Sequence, residues 1–227
     1  MSRIHFLGGE KGGVGKSVLA RLLAQYYIDR SLPFAAVDAD RSHGAMLRFY
    51  ADFTQAGDLD NFETTDHILQ LALDADRRVL VDLPAQSDRH LGKWMAQNGI
   101  VELAAEHSIP LVFWHLMDDG KDSVSLLQAL LAKYGNSVQY IAVKNFGRGS
   151  DFSAFENSDS RKKIEELGGK IMTLDELHKP TMRKIDHLNV SFWAAAHNDQ
   201  AGLGLIERHR VKVWIRNAFK EFERLDV

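Results

Sequence analysis

The chain contains no cysteine among its 227 residues. That absence removes disulfides, thiolate nucleophiles, zinc–thiolate centres and cysteine-ligated iron–sulfur clusters together. It suits a reducing compartment, and the cytoplasm is the expected location. Apolar runs of about 18 residues, the length a bilayer requires, are also missing, so no segment is expected to span a membrane. The opening Met1-Ser2-Arg3-Ile4-His5-Phe6-Leu7-Gly8 turns glycine-rich too soon to read as a secretory leader. Positive charge is not in excess either. The formal net charge of −3 excludes a polycation built to coat nucleic acid, while a local basic patch remains compatible with it. The ten histidines show no metal-ligand spacing of the H-x-x-x-H kind. His115, at the end of an expected strand, reads as a structural histidine. No repeat, low-complexity tract or linker divides the chain, and its length suits one domain, 1–227, with a helical C-terminal segment from about 178.

What is present is an alternation of strand and helix signals. Continuous apolar runs at Ile4–Leu7, Pro33–Val37, Arg78–Asp82, Pro110–Trp114, Val138–Val143 and Lys170–Leu174 predict strands buried on both faces. Between them, helical spacing covers Ser17–Arg30, Ser42–Tyr50, Asp66–Ala75, His90–Glu106 and Ser123–Tyr134. Residues 51–65 are polar and unassigned, and 147–162 are expected to form a mobile or partner-facing loop. Such a pattern predicts an α/β fold: a doubly wound, mostly parallel sheet with helices on both faces. In that arrangement ligands bind at the carboxyl ends of the strands. Those ends carry Asp38 and Asp40, then Asp82, then Asn145.

The most telling segment follows the first strand: Glu10-Lys11-Gly12-Gly13-Val14-Gly15-Lys16-Ser17. Glycines let a backbone wrap closely around phosphates with its N–H groups inward, and the helix beginning at its end favours anions. Gly12, Gly13, Val14, Gly15 and Val18 therefore frame a nucleotide site. Lys16 is placed to bridge the β- and γ-phosphates, and the Ser17 hydroxyl to hold Mg²⁺. Glu10 occupies the first glycine position of the common G-x-x-x-x-G-K-[ST] pattern. A unit charge about 6 Å from the phosphates is worth roughly 3 kcal/mol at an effective dielectric of about 20. Its side chain is therefore expected to point outward or to pair with a base such as Arg41.

The run Lys11-Gly-Gly-Val-Gly-Lys16-Ser17 resembles the deviant phosphate-binding loop of the ParA/MinD ATPases. The resemblance covers most of the chain, is strongest over the first 90 residues, and weakens after about residue 146. It implies ATP and ADP as ligands with Mg²⁺, and a homodimer closed around two nucleotides. In such a dimer Lys11 would reach the partner's phosphates. It further implies that Asp40 directs the attacking water, that Asp38 organises Mg²⁺ and the first switch, and that Asp82 binds the metal. Pro84-Ala85-Gln86-Ser87 would form the second switch, and Asn145 would contact the base. Lys11, Lys16 and Asp40 would thus be catalytic. The family usually follows its Asp-x-Asp with Pro-Gln, whereas this chain has Arg41-Ser42. A looser resemblance, in Ile4-His5-Phe6, Gly-Val-Gly-Lys-Ser-Val and Arg210-Val211-Lys212-Val213, is to the TraL-type proteins of conjugative plasmids.

The implied role is a slow, partner-stimulated ATPase switch that positions a cargo, with an unidentified stimulating or cargo protein. The lack of cysteine sets the chain apart from the iron–sulfur and arsenite-pump relatives. The early start of the first strand leaves no expected helix-turn-helix before the loop. Two other functions share the fold: a small-molecule ligase or kinase of cofactor synthesis, and a nucleotide-dependent binding module with little hydrolysis. Towards the C-terminus, Val211, Trp214, Ile215, Ala218, Phe219, Phe222 and Leu225 recur at helical spacing. Arg208, Arg210, Lys212, Arg216, Lys220 and Arg224 fall on or near the opposite face. This segment is expected to pack on the sheet. Nonspecific DNA contact is a weaker alternative and membrane-surface binding a remote one. Asp118 and Asp119 are expected in a solvated turn.

Overall fold

The computed structural model describes residues 1–8, 10–40 and 44–227. Arg41 and Ser42, where the sequence leaves the Pro-Gln pattern, lie outside the described residues. Seven strands form one sheet: β1 (Arg3–Gly8), β2 (Phe34–Asp38), β3 (Thr54–Ala56), β4 (Arg78–Asp82), β5 (Leu111–Met117), β6 (Gln139–Asn145) and β7 (Lys170–Leu174). Their order is β3-β2-β4-β1-β5-β6-β7, and every pairing is parallel. β1 is central, between β4 and β5. The register sets Leu7 beside Asp82, Asp38 beside Asp82, and Gly8 beside His115. The expected carboxylates therefore meet at one edge of the sheet, next to the turn that leaves β1.

Helices cover both faces. One apolar layer joins the sheet to α1 (Lys16–Asp29), α2 (Ala45–Phe49), α9 (Lys179–Leu188), α10 (Phe192–His197) and α11 (Leu205–Leu225). The other joins it to α3 (Phe62–Asp74), α4 (Asp88–Gln97), α5 (Ile100–Glu106), α6 (Lys121–Tyr134), α7 (Ser153–Glu156) and α8 (Asp159–Glu166). β1 itself carries a buried polar residue, His5. Burial, with lesser help from Arg3 and Arg78, lowers its pKa to about 3, so the imidazole is neutral. Its Nδ1 accepts a 3.0 Å hydrogen bond from Trp114 Nε1 on β5, and its Nε2 lies 3.3 Å from the Tyr27 hydroxyl of α1. A neutral ring can serve both partners, and it ties the central strands to the helix that carries the phosphate loop.

Several elements differ from the sequence expectation, each for a local reason. The region 90–106 is two helices, because Gly99 takes a left-handed φ of 58° and turns the chain between α4 and α5. The unassigned polar stretch contains β3, a three-residue edge strand paired only to β2. It is too short to show any alternation. Residues 147–162 are not a plain loop. Phe152 and Phe155 are buried, and the Ser158 side chain caps α8 by accepting from the amide of Arg161 at 3.1 Å.

The last helix packs as expected. Val211, Trp214, Phe219, Phe222 and Leu225 are buried in the core, so the apolar stripe of α11 is spent on the sheet. No helix among the described residues is long and apolar enough to cross a membrane. Phe222 meets Tyr26 of α1 and Trp114 of β5 edge-on, with ring centroids 5.4 and 6.1 Å away. Phe222→Ala is therefore expected to cost about 3–5 kcal/mol, the usual range for a fully buried aromatic. Urea denaturation checks this, and a loss below about 1 kcal/mol would show that α11 is not anchored there.

Candidate functional site

The turn after β1 is shaped by glycine. Gly13 and Gly15 hold positive φ values of 74° and 104°, which side-chain-bearing residues resist. Gly15 is also the N-cap of α1, and no side chain caps that helix start. The first amides of the helix thus remain directed at the loop, as an anion site requires. An added Cβ at Gly15 would collide with Asn145 Nδ2, so glycine is needed here for space as well as for φ.

Lys16 is buried, and its Nζ donates a 3.0 Å hydrogen bond to the carbonyl of Lys11. Burial lowers its pKa, while Asp82, Asp40 and Glu10 act in the opposite sense. Asp82 stands at the end of β4, 1% exposed. Neither of its oxygens meets a partner in hydrogen-bonding geometry. Burial pushes its pKa up to about 7. The adjacent Ser17 hydroxyl and Lys16 only partly offset this, and Asp38 and Asp40 add to it. A buried carboxylate with both oxygens orphaned, next to a serine hydroxyl and a phosphate-loop lysine, is the donor chemistry that suits Mg²⁺. Among the described residues no cluster of three or more metal-ligating side chains exists. The ion would therefore need oxygens from phosphate and water as well, as Mg²⁺ commonly does.

Asp38 is placed beside Asp82 but faces the other way chemically. Its Oδ2 accepts from the amides of Met46 and Leu47 at 2.8 and 3.1 Å, and its Oδ1 from the amide of Asp40 at 3.1 Å. It thereby fixes the start of α2 and the turn through Asp40, whose carbonyl accepts from Gly44 N at 2.8 Å. Asn145 is brought to the loop rather than left facing open space. Its Nδ2 donates to the Val14 carbonyl at 2.7 Å, and its Oδ1 accepts from Gly147 N at 3.0 Å. It lines a cavity of about 220 Å³ with Gly15, Val18, Leu177, Met182 and Trp214. Arg148, Asp175, Lys179 and Arg183 also line it, so the cavity beside the loop mixes apolar and charged walls. His115 is buried and neutral, with a pKa lowered by burial to about 4, and its Nε2 pairs with the Ser123 carbonyl at 2.8 Å.

Glu10 does turn away from the cradle. Its Oε1 accepts a 2.6 Å hydrogen bond from the Asp88 amide, the first residue of α4. It thus supplies the cap that Ser87 does not. Its carbonyl also accepts from Gln86 N at 3.2 Å, so the phosphate loop and the 84–87 turn are tied directly. Lys11 lies on the opposite side. Its Nζ pairs with Asp118 Oδ2 at 2.8 Å. Asp118 is therefore a partner of the phosphate-loop turn and not a freely solvated turn residue. The sequence signal was available in Asp118-Asp119-Gly120 directly after a strand of a parallel sheet.

No protein-family model matches the chain. It is 25% identical to Protein MobD of Acidithiobacillus ferrooxidans over 179 residues, covering 77% of this chain and 78% of that one. It is 26% identical to a Protein TraL of Escherichia coli over 153 residues, 64% of each chain. The whole chain superposes on a plasmid-partition-type protein of Borrelia burgdorferi B31 solved with AMPPNP bound. The TM-score there is 0.57 with 14% identity, over 99% of both chains. The chain shares the fold of that partition-type protein. The resemblance read from its phosphate loop, and the looser one to TraL, agree with these likenesses.

Asp82 provides a pH test of this geometry. A carboxyl whose folded pKa is raised costs stability as pH climbs from its unfolded value near 4 through about 7. Asp82→Asn removes that cost. Without nucleotide the variant is expected to gain about 1–3 kcal/mol over the native chain at pH 8. The gain should vanish towards pH 4. Urea melts across this range measure it, and a gain that is flat with pH would contradict the buried, unpaired carboxylate.

Proposed function

We propose that the protein is a nucleotide-operated switch of the ParA/MinD kind: it binds ATP, dimerises around two nucleotides, and returns to monomers on hydrolysis. The observation that carries this reading is the second lysine. Lys16 Nζ bonds back to the loop's own Lys11 carbonyl, while Lys11 Nζ is paired on the β5 loop with Asp118. A cation held outside its own site, at the same turn, is suited to phosphates presented by another subunit. Charge supplied in trans is an established device in phosphoryl transfer.

The remaining roles follow from position. The glycine loop and the α1 amides would bind phosphate oxygens, with Lys16 on the β- and γ-phosphates. The base would enter the cavity beside Asn145 and Val18. Ser17 and Asp82 would hold Mg²⁺ among phosphate and water oxygens, with Asp38 fixing the neighbouring turn. When bound, the ion would neutralise phosphate charge. Asp40 would orient the attacking water. The AMPPNP held by the partition-type neighbour and the fold shared with it support nucleotide binding. The likeness to MobD and TraL supports a role in plasmid transfer or partition. The cargo surface would be α11, where Lys212, Arg216 and Lys220 border an open groove of about 480 Å³ that Arg30 of the α1 end, paired with Glu223, also lines. Arg208 is paired with Asp199, and Arg224 with Glu221. DNA held there would be lost steeply with salt.

Two substitutions test the switch. Lys11→Ala is expected to keep ATP affinity within about twofold, since Lys16 and the loop amides remain, while ATP-dependent dimerisation disappears in sedimentation experiments. A variant that dimerises normally would remove Lys11 from the interface. Asp40→Ala is expected to slow single-turnover hydrolysis by roughly a hundredfold, at the lower end for general acid–base residues, and to accumulate a nucleotide-bound dimer. Unchanged turnover would take Asp40 out of the mechanism.

A further inference from the structure

We propose that Asp118 is a positioning residue that holds Lys11 in cis, so that the lysine must give up this carboxylate to engage a second copy of the chain. The proposal rests on the trans role given to Lys11 above. Its own support is the way the carboxylate is built. Asp118 Oδ1 is fixed by the Gly120 amide at 3.1 Å and the Ser123 hydroxyl at 2.6 Å, which leaves Oδ2 for Lys11 Nζ at 2.8 Å. Only one oxygen is therefore offered, in one direction. Gly120 makes room for the contact, since an added Cβ would lie 3.2 Å from both Lys11 Nζ and Asp118 Oδ1.

The loop is also held from behind. Asp119 Oδ2 accepts from the Ser150 amide at 2.8 Å, and Gly149 packs so closely that a Cβ there would come within 2.6 Å of Asp119. Lys11 thus rests on a fixed acceptor rather than on a mobile acidic turn. The hydrogen bond from Asp118 raises its pKa, slight burial opposes this, and the charges of Asp118, Asp122 and Asp119 add to the rise. The ammonium stays charged and extended along the outside of its own cleft.

A ligand shifts a two-state equilibrium only by contacts that differ between the states. In the monomer the Lys11 ammonium is already paired. Dimerisation then gains only the difference between a partner's phosphates and Asp118. Without nucleotide that difference is absent, and Asp118 disfavours a premature dimer.

The test compares the native chain, Asp118→Asn, Lys11→Ala and the double variant by sedimentation equilibrium with AMPPNP and Mg²⁺. Asparagine keeps an oxygen for Gly120 and Ser123 but loses the charge. The half-dimerisation concentration of Asp118→Asn is expected to fall about three- to fivefold, the scale of a partly exposed ion pair. No shift should separate Lys11→Ala from the double variant. A purely structural Asp118 would instead weaken dimerisation when replaced. Equal or weaker dimerisation in Asp118→Asn, or the same shift with Lys11 absent, overturns the proposal. If Lys11→Ala fails to dimerise while Asp118→Asn is neutral, the cis hold alone is wrong. If Lys11→Ala dimerises like the native chain, the trans role itself fails. Should asparagine not be tolerated, Asp118→Ser removes the same charge and enters the same comparison.

Discussion

Parallel pairing of β1 between β4 and β5 is the constraint on which the site depends. A parallel sheet delivers every strand's carboxyl end to one edge, and register then decides which side chains meet there. Here it sets Leu7 against Asp82 and Gly8 against His115. The turn leaving β1 therefore emerges with buried carboxylates on its β4 side and an acidic loop on its β5 side. Nothing in the loop sequence alone would produce that asymmetry. His5, neutral and bonded to Trp114 with Tyr27 in reach, holds the three elements in place from within the core.

The asymmetry separates the two lysines by environment. Lys16 is buried beside Asp82 and held on the Lys11 carbonyl, so in the absence of ligand it is poorly solvated. Asp82 shares the difficulty from the opposite charge, with both oxygens unpartnered. A buried lysine and a buried carboxylate whose oxygens meet no hydrogen-bond partner are thus kept close at the phosphate loop. Lys11 is paired with Asp118 in a more exposed position. Two lysines of one turn therefore sit in different electrostatic settings, one buried beside Asp82 and the other paired with Asp118.

Much of this was legible in the sequence because each signal had a short-range physical cause. Glycines at 12, 13 and 15 followed by Lys16-Ser17 announce a turn with positive φ and a helix start. Asp38 and Asp82 each end an apolar run, which puts them at strand ends. What could not be read depends on contacts between distant segments. Asp38 turned out to accept three amides of its own loop, and a carboxylate's choice between amide and metal is not written in its neighbours. Asn145 binds the Val14 carbonyl, 131 residues away. β3 was invisible because three residues carry no period, and the break at Gly99 because helical spacing continues across it. α7 and α8 were hidden by polar composition, although Phe152 and Phe155 anchor them.

Glu10 shows how a departure from a pattern can become a connection. A glycine at this position would leave the first amide of α4 without the acceptor it now has. The glutamate supplies that acceptor at 2.6 Å, and a charged cap at a helix N-terminus is favourable both for the hydrogen bond and for the helix dipole. Its charge still reaches Lys16, so the side chain is not electrostatically silent. Asp88, the residue whose amide it holds, is gripped in turn by Lys133 of α6 at 2.7 Å. Lys133 lies there over Gly92, where an added Cβ would collide with its Nζ. A short polar chain therefore runs from the phosphate loop through the start of α4 to α6. Any movement of the loop around phosphate must be felt at α4, because the cap and the loop are one residue.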